Sequence, residues 1–107
     1  MTPRYKPTME ANFIKEVSRI INHIAQAIEE NDDECDVDIN GDILNIITKD
    51  GTYVINRQTP LKEIWLSSPV SGPYHFAFDG VNWSSNAGDE LFDVLSRDLG
   101  IRILKNN

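Results

Sequence analysis

Between Phe13 and Ile28 apolar residues return every third or fourth position, and from Cys35 onward they return every second. That change of period limits the chain to a helix followed by a run of strands. Phe13, Val17, Ile20, Ile24 and Ile28, with Ile14 and Ile21 beside them, make one apolar stripe. The stripe predicts an amphipathic helix over residues 8–30, with Thr8 as N-cap after Pro7. Acids crowd the C-terminal end of this helix, where the helix dipole favours cations at ~0.3–1 kcal/mol each.

The alternation of Cys35, Val37 and Ile39 with Asp36 and Asp38 predicts a strand, and Asn40-Gly41 is a strong hairpin signal. With those two residues as the turn, Asp38 faces Ile43, Val37 faces Leu44 and Asp36 faces Asn45. Asp50-Gly51 marks a second hairpin into 52–57, and further strands are expected at 62–67, 74–79 and 82–84. Residues 86–99 read as a second helix burying Leu91, Phe92, Val94, Leu95 and Leu99, with Gly100 as its stop. Ile101, Ile103 and Leu104 read as a tail packing back on the domain. The order helix, meander, helix predicts an α+β fold. Its form is a two-layer α/β sandwich, with both helices on one face of an antiparallel sheet of five to six strands. At 107 residues the chain is expected to be a single domain over 1–107.

That layout leaves the other sheet face uncovered. Strand parity turns Tyr53, Ile55, Ile64, Leu66, Phe76 and Phe78 toward the helices. Val54, Asn56, Trp65, His75 and Ala77 then point outward, with Gln58 at the margin. Trp65 is either an outward protein-binding anchor or simply part of a packed core, and parity alone leaves both open.

Charge narrows the function classes. The net charge is −7, and Glu29, Glu30, Asp32, Asp33, Glu34, Asp36 and Asp38 lie together with no base among them. The other ten acids are matched by ten Lys and Arg, so the excess is local. Such a patch repels phosphate backbones and attracts cations or basic proteins, so no nucleic-acid partner is expected. No apolar run nears the ~20 residues of a membrane span, so no membrane partner is expected either. The lone Cys35 fits a reducing compartment, and the first residues lack the apolar core of a secretory signal. A cytoplasmic protein, or a chain already freed of a presequence, is expected.

No phosphate-cradling loop, nucleophile elbow or Cys-x-x-Cys pair occurs. Cys35 reads as a core cysteine by parity, with a nucleophile as the alternative. His23 and His75 are the only histidines, and neither has zinc-site spacing. Clustered carboxylates suit hard or borderline cations such as Fe²⁺, Fe³⁺, Mg²⁺ or Ca²⁺, held weakly at a surface. A solvated acidic face is the alternative. Glu16, His23 and Glu30, seven apart, share one flank of the first helix.

One stretch goes beyond pattern. Gly51 to Pro60 (GTYVINRQTP), Lys62 to Pro69 (KEIWLSSP) and Ser71 to Pro73 (SGP) resemble the central sheet of the frataxin family. The resemblance extends over the acidic first helix, DVDING from Asp36 to Gly41, Asn82-Trp83, and Gly88, Leu91 and Leu95. It spans roughly residues 9–99 and looks most like the bacterial branch, CyaY.

The resemblance implies an iron-binding protein of iron–sulfur cluster assembly. Its role would be iron donor or sensor and regulator of the cysteine desulfurase and scaffold protein. On that reading weakly bound iron sits on Glu29, Glu30, Asp32, Asp33, Glu34, Asp36 and Asp38, with Glu16 and His23 as further candidates. Partner contacts map to Asn56, Gln58, Trp65 and His75, the last standing where eukaryotic members carry a basic residue. The protein would be a monomer and no enzyme, with iron-dependent oligomerisation open. The alternatives are a ferroxidase or iron store, and a metal-independent acidic interaction module.

Overall fold

The computed structural model describes residues 9–32 and 34–105. The expected N-cap Thr8 and the acid Asp33 lie outside them. Helix α1 spans Met9–Asn31, and its buried side is the sequence stripe: Phe13, Val17, Ile20, Ile21, Ile24, Ala25 and Ile28. Six strands follow: β1 Asp36–Asn40, β2 Ile43–Thr48, β3 Gly51–Gln58, β4 Glu63–Ser68, β5 Gly72–Phe78 and β6 Trp83–Ser84. They pair antiparallel in chain order as one sheet. A short 3-10 turn at Thr59–Leu61 separates β3 from β4, and helix α2 spans Leu91–Leu99.

Both helices cover one sheet face. Leu44, Ile46, Tyr53, Ile55, Ile64, Leu66 and Phe76 meet the α1 stripe and Leu91, Phe92, Val94 and Leu95 of α2 in one core. Each such aliphatic side chain removed from water is worth ~1.5–3 kcal/mol. The tail returns to this layer, with Ile103 buried and its backbone N–H donating to Ser96 Oγ at 3.0 Å.

Four expectations need correction. The first hairpin turns on Gly41-Asp42, so Asp38 faces Asn45, Val37 faces Ile46 and Asp36 faces Ile47. The cause is Gly41, whose φ of +64° suits the first central position of a turn with a glycine-type opening. The slip is two residues, so every side chain keeps its face. The second hairpin shifts the opposite way, turning one residue early on Lys49-Asp50, and Gly51 already pairs with Thr48.

The second helix begins at Leu91, not Asn86. Before it, Ser85 and Asp89 close a loop on each other: the Ser85 N–H donates to Asp89 O at 2.8 Å, and the Asp89 N–H to Ser85 Oγ at 3.1 Å. Glu90 then bridges to Ser84 and caps α2, its carboxylate accepting from the N–H groups of Phe92 and Asp93. Finally, Phe78 is 55% exposed. It ends β5 beside the two-residue β6 and lines an open groove with Ile20, Trp83 and Phe92, beyond the cover of the helices.

Candidate functional site

The acidic segment runs from the exposed end of α1 into β1. Glu29 and Glu30 are exposed in the last turn of α1, which holds no basic residue. Asp36 and Asp38 alternate with half-buried Val37 and point away from the core. Glu34 is exposed between them. None of Glu29, Glu34, Asp36 and Asp38 forms an ion pair among the described residues. The carboxylates therefore line a strip that crosses from helix to strand. Among the described residues no three His, Cys, Asp or Glu side chains converge as a metal cage.

Some candidates are already engaged. Asp32 accepts from the Glu34 N–H at 2.9 Å and from Cys35 Sγ at 3.1 Å, closing the turn between α1 and β1. The Cys35 thiol and then the Glu34 N–H hold the Asp32 carboxyl below the usual aspartate range, against a small opposing effect of desolvation. Burial, followed by that same Asp32 contact, pushes the Cys35 thiol up to about 11. Cys35 packs against the core with its thiol donating to Asp32, an environment that disfavours the thiolate. A small cavity of about 80 Å³ opens beside this turn between Asp32, Glu34, Cys35, Asp50 and Lys49.

The flank of Glu16, His23 and Glu30 is not brought together. Glu16 pairs with Arg19, and Glu30 accepts from Gln26 at 3.1 Å. His23 Nε2 lies 2.7 Å from the Leu104 carbonyl, which can only accept, so that nitrogen carries the proton. Its ring leans on Phe92 at 6.1 Å. His23 is a tie between α1 and the C-terminal tail.

The uncovered sheet face carries the other candidates in one row. Asn56 lies opposite Trp65, and Trp65 opposite His75. Trp65 is half-buried and outside the core cluster, so it is not part of the packed core. Its indole stacks on the His75 ring at 4.0 Å with 5° between the planes. The indole N–H donates to Glu63 Oε1 at 2.9 Å. Gln58, opposite Glu63, is half-buried at the end of β3. A shallow depression of about 190 Å³ runs along this row between Val54, Asn56, Trp65, Pro73 and His75. Sequence reasoning missed Glu63, although its place two residues before Trp65 on one strand puts both on one face.

Against known proteins, residues 6–105 match the model of a frataxin-like domain. The mitochondrial frataxin of Arabidopsis thaliana is 41% identical over 76 residues, which are 65% of this chain and 41% of that protein. The chain thus aligns with less than half of that relative's length. Frataxin from Psychromonas ingrahamii superposes with a TM-score of 0.81 at 24% identity, over 92% of this chain and 100% of that one. Trimeric frataxin from the yeast Saccharomyces cerevisiae, solved with ferrous iron, gives 0.71 at 31% identity over 92% and 89% of the two chains. These likenesses share the arrangement of two helices on one antiparallel sheet.

Proposed function

The chain belongs to the frataxin family, and on that premise we propose that it is a non-catalytic iron carrier and regulator of iron–sulfur cluster assembly. The observation that carries the proposal is the strip of exposed carboxylates, Glu29, Glu34, Asp36 and Asp38, left without a basic partner among the described residues. Hard oxygen donors with no enclosing cage suit a cargo of Fe²⁺ or Fe³⁺ that must be taken up and released. Glu30, Asp32 and Asp33 belong to the same acidic segment, and the ferrous complex of the yeast relative supports iron as the ion. The four acids of the strip, without ion pairs among the described residues, also attract a basic protein surface.

The proposed partners are the cysteine desulfurase and the iron–sulfur scaffold. The strip meets a basic surface, and the row Asn56, Trp65 and His75, with Gln58, meets the second partner. A half-buried Trp on an uncovered sheet face is the kind of group that dominates such contacts. No helix among the described residues is long and apolar enough to cross a membrane. We place the protein as a monomer in the cytoplasm, where a single closed thiol is stable.

The test is a chemical-shift map of the full chain with Fe²⁺, then with desulfurase and scaffold, in wild type, D36N/D38N and W65A. Iron should move signals of residues 29–38, and D36N/D38N should lose both that response and desulfurase capture. W65A should keep the iron response and lose scaffold capture. Unchanged capture and unchanged cluster-assembly rate in both variants would sink the proposal. Oxygen uptake on adding Fe²⁺, above buffer and lost in D36N/D38N, would replace it with the ferroxidase reading.

A further inference from the structure

We propose that Glu63 is the positioning residue of the sheet face: its carboxylate sets the Trp65 indole in the orientation that His75 stacks upon, presetting Trp65 as a protein-docking anchor. The inference deepens the docking reading above and rests on it.

Two contacts hold the indole, and they restrain different parts of it. The hydrogen bond of 2.9 Å from Nε1 to Glu63 Oε1 fixes the direction of the ring edge. The His75 stack at 4.0 Å and 5° fixes the ring plane. Glu63 reaches the indole along the strand, from two residues away on the same face. His75 reaches it across the ladder, from the directly paired position. Neither contact comes from the core cluster, and both helices pack on the other face of the sheet, so these two contacts are the specific restraints on the indole.

The indole N–H is a single donor and the carboxylate a charged acceptor, which makes this one of the stronger side-chain pairs available. A Trp free to rotate on an open face would lose that freedom on binding a partner. Here the loss is taken at folding, so docking starts from a set anchor. Glu63 is also the one carboxylate among the outward residues of β3, β4 and β5. A contribution by charge alone must therefore be separated from a contribution by hydrogen bonding.

Glu63→Gln keeps an acceptor oxygen and removes the charge, whereas Glu63→Ala removes both. The two indole N–H signals of the ¹⁵N-labelled full chain are told apart with Trp65→Phe. In E63A the Trp65 indole signal should shift upfield toward that of a water-bonded indole and broaden, with the Trp83 signal and the melting temperature nearly unchanged. In E63Q the Trp65 signal should stay close to wild type. Affinity for the scaffold protein, read by titration, should fall about tenfold in E63A and less than about twofold in E63Q. An unmoved Trp65 signal in E63A would overturn the proposal. So would an E63Q affinity as low as that of E63A, which would make Glu63 a charge contact instead. If Trp65→Ala binds scaffold like wild type, the docking reading fails, and the indole signal alone then judges the positioning role of Glu63.

Discussion

Asp98 of α2 ties two elements through one carboxylate. It accepts from Ser68 Oγ at 2.7 Å and from the Ser71 hydroxyl, and Arg97 Nε donates to its other oxygen at 3.0 Å. Burial opposes its charge, but the Ser71 and Ser68 hydroxyls and Arg97 outweigh burial and hold the carboxyl below the usual aspartate range. A depressed carboxyl contributes stability that is complete above its unfolded value of about 4 and is lost as pH falls through the folded value. Asp98→Asn should therefore cost about 1–3 kcal/mol at neutral pH, and progressively less as pH falls below about 4, as read by a series of urea melts. Cys35 gives the opposite sign. With its thiol raised from 9.0 to about 11, stability is complete below pH 9 and declines as pH rises through 11. At pH 8 its alkylation by iodoacetamide should be about 100-fold slower than that of an unperturbed thiol. A rate equal to that of the unfolded chain would contradict the closed turn seen here.

Helix α1 is a well-formed element with a badly matched end. Its apolar stripe is seated on the sheet, yet Glu29 and Glu30 occupy a last turn with no basic residue. Replacing both by Lys should raise stability by ~0.3–1 kcal/mol each, because cations suit the carbonyl end of a helix. The same double variant should weaken the Fe²⁺ response of residues 29–38. A rise in melting temperature without loss of iron response would separate the helix end from the proposed cargo strip. The β2–β3 hairpin makes a different demand. Gly51 sits at φ +130°, and a Cβ there would come within 2.8 Å of the Pro69 Cβ. Gly51→Ala meets both a backbone penalty and a clash with the β4–β5 turn, so a loss of about 1–3 kcal/mol is expected by chemical denaturation.

The whole molecule carries two surfaces of unlike chemistry, an acidic strip at the α1–β1 side and an aromatic row on the open sheet face. Exposed charges are screened within about 8 Å at physiological salt, whereas apolar contact is not. Capture through the strip should therefore weaken steeply between low and high NaCl, and capture through Trp65 should change little. Equal salt dependence of desulfurase and scaffold binding would argue for one shared surface. Much of this layout was legible in the sequence. Periodicity alone determines the α1 stripe, the faces of Asp36 to Asp38, Tyr53 to Asn56 and Ile64 to Leu66, and the isolation of the acidic charge, since each follows from short-range spacing. Even the two-residue slip of the first hairpin left those faces intact, because strand side chains repeat every two residues. What spacing could not supply depends on neighbours distant in the chain. The late start of α2 is decided by the Ser85–Asp89 loop and the Glu90 bridge to Ser84. The exposure of Phe78 follows from how far the helices reach over the sheet edge. His23 left its acidic flank for the Leu104 carbonyl, 81 residues away. The stack of Trp65 on His75 needed the β4–β5 register. The sequence by itself determined the elements and the two surfaces. Only the tertiary structure decided which side chains on them are free, because a hydrogen bond or stack across strands is fixed by packing and not by local pattern.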